Sequence, residues 1–272
     1  MGRMGAAIIG ASAVGGAGAV VFGGRALLHR QAAIARRRIG KPLGEQAIDA
    51  DRIWRKRFDG PPLELLLLGD SIAVGLGAER RKDTLGARIA KGVAGRLKRP
   101  VRLRTAAVVG SESSALAAQL DGLEPGYRAD VAVIIVGGND VTHRVPIPVS
   151  VAHLTRAIRR LRVDGTTVVV GTCPDLGAIR PVPQPLRALG SRVSRRLANA
   201  QAAAAEGVGA RPVSLRRAVG PVFVANPHEM FSLDRFHPSA LGYRRTAEAL
   251  VPAIIEQLED DEGRPVVGRP SR

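Results

Sequence analysis

From Leu63 onward the chain alternates short apolar runs with longer stretches of helical spacing. LELLLL (63–68), VRLRTAAVV (101–109), VAVIIV (131–136), TVVVGT (167–172) and PVSL (212–215) read as strands. The first, third and fourth are apolar without clean alternation, as expected of strands covered on both faces of a parallel sheet. Between them, TLGARIAKGVAGRLKR (84–99), ESSALAAQL (112–120), VAHLTRAIRRLR (151–162) and RALGSRVSRRLANAQAAAAE (187–206) have the length and apolar spacing of helices. A last helix is predicted over 239–259, with Ser239 as its N-cap. Strand alternating with helix at this spacing predicts an α/β domain built on a doubly wound parallel sheet, spanning 61–259. No internal repeat is visible.

The flanks differ from this core. Residues 5–24 carry no charge and match a membrane-spanning helix in length, although Gly and Ala dominate them. A secretory signal is the competing reading, since Arg3 precedes the stretch and Ala17-Gly18-Ala19 has the form of a cleavage site. Val20, Val21 and Phe22 continue the apolar run past that site, which favours an uncleaved anchor over 1–24. Residues 25–60 read as a basic linker, helical over 25–58 and suited to an anionic membrane surface. Arg25, Arg30, Arg36, Arg37, Arg38 and Lys41 follow the apolar stretch, so the positive-inside rule holds the domain at the cytoplasmic face, whereas the signal-like segment suggests the cell envelope or export. The tail 260–272 is charged and rich in Gly and Pro and is expected to be disordered.

Charge widens the field only briefly. The chain has 41 Lys and Arg against 24 Asp and Glu, a formal net charge of +17 that raises nucleic acid or an anionic membrane as partners. The arginines are spread along the whole length, however, and Trp54, Tyr127 and Tyr243 lie far apart, which argues against a platform that stacks single-stranded bases. Cys173 is the only cysteine, so no intrachain disulfide exists, and it reads as a buried structural residue. No His, Asp or Glu cluster has metal-ligand spacing, and neither a metal nor another cofactor is expected.

The polar residues at the strand ends carry the chemistry. In an open parallel sheet, ligands bind at the carboxyl ends of the strands. There stand Gly69-Asp70-Ser71, Gly110-Ser111 and Gly137-Gly138-Asn139-Asp140, and Asp234-Arg235-Phe236-His237-Pro238 precedes the last helix. Such a set fits acyl transfer. A serine nucleophile needs a base, and neutral imidazole has a suitable pKa. The base needs a group that fixes its tautomer, and the Asp-x-x-His spacing lets Asp234 meet His237. The oxyanion needs donors, which the backbone N–H groups of Ser71 and Gly110 and the amide of Asn139 supply. Asp70 and Asp140 read as loop braces, and Ser111, Glu112 and Ser113 as a helix cap. His143 is weighed as a pocket-lining residue or an exposed loop histidine. His29, His153 and His228 show no partner pattern.

These four segments resemble, in order, the four signature blocks of the SGNH, or GDSL, hydrolase family. Gly69-Asp70-Ser71-Ile72 is similar to the first block, with Ile where the family name has Leu. Gly110 falls at the second block's glycine, Gly137-Gly138-Asn139-Asp140 matches the third, and Asp234-x-x-His237 the last. The resemblance spans roughly 62–258. It implies a flavodoxin-like three-layer α/β/α sandwich with a parallel sheet of roughly five strands. It further implies Ser71 as nucleophile, His237 as base, Asp234 as its orienting group and the least essential of the three, and Ser71, Gly110 and Asn139 as the oxyanion hole. The family covers esterases, lipases, thioesterases and carbohydrate deacetylases, so the expected substrate is a small-molecule or lipid ester. The ordinary α/β-hydrolase pattern fits less well, since it asks for G-x-S-x-G and Ser71 sits in Gly-Asp-Ser-Ile-Ala. Two readings of other classes stand beside the enzyme: a membrane-associated binding or scaffold protein with a vestigial site, and a basic nucleic-acid binder.

Overall fold

The computed structural model describes residues 23–263. After helix α1 (23–39) come β1 (Ile53–Trp54), β2 (Leu63–Gly69), α2 (Ser71–Val74), α3 (Leu85–Leu97), β3 (Val101–Thr105), α4 (Leu116–Asp121), β4 (Val131–Ile135), α5 (Gly138–His143), α6 (Ile147–Val163) and β5 (Thr167–Gly171). α7 (Leu186–Glu206), β6 (Arg211–Val213), the short helices α8 (Leu215–Ala218), α9 (Gly220–Ala225) and α10 (Pro227–Met230), and α11 (Ala240–Glu262) complete the order.

The sheet has six strands in the order β1-β3-β2-β4-β5-β6. All neighbours pair in parallel except β1, which lies antiparallel on β3. The apolar run of β2 shows why a parallel sheet results. Leu65 and Leu67 enter the core on one face, beneath α3 and α11, while Leu66 and Leu68 enter the core on the other, beneath α4 and α6. All four are fully buried, and each contributes about 1.5–3 kcal/mol relative to exposure. A strand that feeds two cores cannot alternate with polar residues, so three layers follow from the sequence of β2 itself.

Four expectations need correction. The sheet has a sixth strand, because Ile53 and Trp54 form the two-residue edge strand β1 in a region read as basic helix. That helix stops at residue 39 rather than 58: Gly40 and Gly44 take positive φ, and Asp51 is drawn to β3, where its carboxylate accepts from the Thr105 N–H at 2.8 Å and hydroxyl at 2.7 Å. The last helix runs to Glu262 rather than ending at 259, because Asp261 accepts from the Arg162 guanidinium and, at 2.8 Å, from the Thr167 hydroxyl. β3 also ends at Thr105, four residues short of the predicted end. The segment beyond still follows β2, with Ala106 and Val108 donating to Leu67 and Gly69 carbonyls. Ser239 caps α11 as expected, accepting from the Gly242 N–H at 3.1 Å.

The apolar stretch 5–24 lies, apart from Gly23 and Gly24, outside the described residues, as does the tail beyond 263. Among the described residues no helix is long and apolar enough to cross a membrane.

Strand order decides where a ligand can enter. From β2 the chain crosses to β3 on one side, and β4, β5 and β6 build out on the other. The connections diverge at the carboxyl ends of β2, β3 and β4, which opens a crevice there. Ser71, Gly110 and Asn139 follow those three strands.

Candidate active site

The Ser71 turn is built by close contact with the sheet. Gly69 has φ +130°, and a Cβ there would stand 1.8 Å from the Ile135 carbonyl oxygen, so only glycine lets β2 end flush against β4. Both backbone groups of Gly69 are taken by one side chain: its N–H donates to Gln119 Oε1 at 2.9 Å, and its carbonyl accepts from Gln119 Nε2 at 2.8 Å. Asp70 then caps the four-residue helix α2 by accepting from the Ile72 N–H at 3.0 Å. This fixes Ser71, a buried residue, at the first helical position. Tyr243 on α11 braces the far end of the turn through a 2.6 Å hydrogen bond to the Leu76 carbonyl.

The Ser71 hydroxyl faces His237, whose Nε2 lies 2.9 Å from Ser71 Oγ. On the ring's far side Nδ1 lies 2.6 Å from Asp234 Oδ2. The other carboxylate oxygen of Asp234 accepts from the backbone N–H groups of Phe236 and His237, each at 2.9 Å. The Asp-x-x-His spacing thus works by a loop that folds back onto its own acid. Arg235 takes a left-handed φ of +56° to make the bend, and its N–H donates to the Ser232 carbonyl at 2.8 Å. A bridge between Phe231 and Pro238 closes the loop. A carboxylate facing Nδ1 calls for the proton on that nitrogen, which leaves the Nε2 lone pair toward the serine hydroxyl.

The two acids of the site are both buried but differ in partners. Burial raises the Asp234 carboxyl, yet hydrogen bonds from the His237 ring and from the His237 and Phe236 N–H groups outweigh it and hold the group below its ordinary value. Burial pushes Asp70 up to about 7, against a single backbone hydrogen bond from Ile72.

Gly110 and Asn139 stand at the other two strand ends. Gly110 needs its glycine for dihedral reasons, with φ +80° and open space where a Cβ would sit. Asn139 lies in the first turn of α5, and its Nδ2 donates to the Ser111 carbonyl at 2.9 Å. One of its two amide hydrogens is used in this way. Next to it, Asp140 accepts from the Ser113 N–H at 3.0 Å and from the Ser113 hydroxyl. Ser113 therefore braces a loop rather than capping a helix, and the cap residue Glu112 makes no side-chain capping bond. Asp70 and Asp140 act as loop braces, as read from the sequence.

Gln119 is the residue that sequence reasoning missed. Besides gripping Gly69 it donates to Ser111 Oγ at 3.3 Å, so the end of β2, the second-block loop and, through the Ser111 carbonyl, Asn139 form one hydrogen-bonded chain. The signal was a lone amide in the apolar segment SALAAQL, but spacing could not name its partner. Gln201 plays a parallel part below Gly137, bridging the Cys173 N–H at 2.7 Å and the Val136 carbonyl at 3.0 Å. Cys173 is fully buried and burial pushes its thiol well up, in keeping with a structural role. His143 is exposed and its Nδ1 pairs with the Glu112 carboxylate at 2.7 Å. Among the described residues no group of three or more His, Cys, Asp or Glu is disposed to hold a metal ion.

All four segments of the site fall within residues 67–245, which match the model of the GDSL-like lipase/acylhydrolase family. The chain belongs to this family. It is 39% identical to the GDSL-like esterase Rv1075c of Mycobacterium tuberculosis over 96% of this chain and 86% of that protein. Among solved structures, TesA superposes with a TM-score of 0.58 at 22% identity, covering 71% of this chain and 99% of that one. A variant of Axe2, an acetyl xylan esterase from Geobacillus stearothermophilus, gives 0.53 at 19% identity, covering 72% and 95%. The three-layer α/β/α fold is shared with these structures. The family member described here is an ester-hydrolysing enzyme.

Proposed function

We propose that the enzyme is a serine esterase that cleaves carboxylic esters by two-step acyl transfer at Ser71. The observation that carries this reading is the continuous hydrogen-bond chain Ser71–His237–Asp234, with Nε2 toward the hydroxyl and Nδ1 toward the carboxylate. Ser71 Oγ forms a bond to the ester carbonyl carbon while its proton passes to His237 Nε2. Asp234, held ionised by its three N–H donors, stabilises the imidazolium. The tetrahedral intermediate collapses as the carbon–alkoxide bond breaks, and the imidazolium gives its proton to the leaving alcohol. Water, deprotonated by His237, then releases the acid and restores Ser71. The oxyanion is received by the N–H groups of Ser71 and Gly110 and the remaining amide hydrogen of Asn139.

The acyl group is taken to be short. A narrow apolar pocket of about 70 Å³ is lined by Ile72 and Pro238, the residues that follow Ser71 and His237, together with Leu176, Ile179, Phe223 and Phe231. Acetyl and other short esters fit such a space, and an acetylated carbohydrate of the kind named for Axe2 is a natural member of the test set. The apolar stretch 5–24, directly ahead of α1, supports a membrane tether for the enzyme.

The test is hydrolysis of p-nitrophenyl esters from acetate to palmitate, with Ser71→Ala in parallel. Turnover that falls with chain length and vanishes in Ser71→Ala is expected. Equal turnover in the variant, or a fluorophosphonate probe that fails to label Ser71, would refute the nucleophile.

A further inference from the structure

Beside the catalytic loop lies a cleft of about 370 Å³ lined by Arg38, Arg180, Pro181, Pro227, His228, Phe231 and Arg235. Its walls come from the end of α1, the segment before α7, α10 and the Asp234–His237 loop. No carboxylate lines it, and none of its three arginines makes an ion pair among the described residues. Several other arginines meet acids, as Arg88 meets Asp83, Arg102 meets Glu64 and Arg162 meets Asp261.

The cleft's arginines are instead turned onto backbone carbonyls. Arg235 donates to the Arg38 carbonyl at 2.9 Å, Arg38 to the Pro181 carbonyl at 3.4 Å and Arg180 to the Val224 carbonyl at 3.4 Å. These bonds hold like charges around one space rather than letting them splay apart. Each guanidinium keeps further N–H donors for a ligand, and planar forks of this kind match the oxygens of phosphate two at a time. The cleft also shares Phe231 with the apolar pocket beside Ser71 and His237. A polar anion and an apolar acyl group would thus be received on either side of one ring.

We propose that this cleft binds a phosphate-type oxyanion, and that the ester substrate or the surface presenting it carries such a group. The second half of this statement rests on the esterase reading, and the first does not. α1 then serves as one wall of a ligand site and not only as a linker, since it contributes Arg38.

The experiment is calorimetric titration of the full chain with inorganic phosphate against chloride at fixed ionic strength. Wild type, Ser71→Ala, Arg180→Gln and Arg38→Gln/Arg180→Gln are compared. Arg192→Gln/Arg196→Gln, on the exposed face of α7, is a control that removes the same net charge. Saturable binding is expected in wild type, Ser71→Ala and the control, weakened at least about tenfold in the double cleft variant. Arg180→Gln alters one exposed side chain and keeps the test valid if the double variant melts early. Absence of saturable binding, or equal weakening by the α7 control, would overturn the proposal. Co-sedimentation with phosphatidylglycerol vesicles, lost in the cleft variants, would assign the oxyanion to a lipid headgroup. Phosphate binding without vesicle binding would assign it to a soluble phosphate-bearing ester. A chain that binds phosphate but hydrolyses no ester would sink the esterase reading alone, and an active esterase without phosphate binding would sink the cleft alone.

Discussion

The two halves of the active site are held by different means. Ser71 is placed by the sheet: β2 ends flush on β4, Gln119 grips both polar groups of Gly69, and Asp70 starts a short helix beneath the hydroxyl. His237 is placed by a loop that has no regular structure and is wound around one carboxylate, Asp234. The first arrangement is rigid because main chain packs against main chain, where side chains cannot relax the fit. The second is rigid because one acid collects three N–H donors. The difference teaches where each half breaks: the serine side through space, the histidine side through hydrogen bonding.

The largest effect should come from the histidine itself. His237→Ala removes the proposed base and is expected to lower kcat by at least about 10³-fold, with the melting temperature little changed. Asp234→Asn attacks the same half through its hub. An amide can donate to Nδ1 and turn the ring's lone pair away from Ser71, so a loss of about 10² to 10⁴ is expected. Steady-state kinetics with fluorophosphonate labelling of Ser71 would check both. If Asp234→Asn turned over as fast as wild type, the loop would owe nothing to its acid.

Asn139→Ala is next, with an expected loss of about 10²–10³ in kcat and little change in KM if it is the oxyanion donor proposed above. A KM effect with unchanged kcat would assign Asn139 to substrate binding instead. On the serine side, Gln119→Leu leaves the Gly69 N–H buried and unpaired, while the Gly69 carbonyl keeps its bond from the Val108 N–H. That costs about 1–3 kcal/mol of stability, read from denaturant midpoints. Its turnover should fall as well, because Gly69 and Ser111 lose their common tie. Full stability in Gln119→Leu would mean that packing against β4 alone holds the serine.

These contrasts also explain what could be read from the sequence. The doubly covered strands announced themselves through unbroken runs such as Leu65–Leu68, because burial on both faces permits no polar position. The Asp234–His237 unit was readable because its contacts are local. Gln119 was not, since its partner Gly69 is fifty residues away and nothing in a lone amide names a distant carbonyl. β1 failed for a related reason. A two-residue strand has too few positions to show a period, and it exists because β3 offers an edge and Asp51 a tether. The arginine cleft assembles from residues 38, 180, 228 and 235, which share no motif.

The smallest expected effect sharpens the comparison most directly, since it sets the two buried acids against each other in one experiment. Asp70 has one backbone donor and its carboxyl rises to about 7, whereas Asp234 is held below its ordinary value. In the unfolded chain Asp70 titrates near 3.8, so between that value and about 7 the folded state binds the extra proton. Stability from this group therefore falls as pH rises through that window. Asp234 has the opposite sign: its contribution is present above the ordinary carboxylate value and is lost as pH falls through its lowered one. Asp70→Asn can still accept from the Ile72 N–H but cannot ionise. Its melting temperature should gain on wild type from pH 5 to about pH 7 and level off above that, while Asp234→Asn should trail wild type by a constant margin from pH 5 to pH 8. A flat difference for Asp70→Asn would mean that Asp70 is ionised in the folded protein throughout, and that the serine half of the site holds a charge as firmly as the histidine half does.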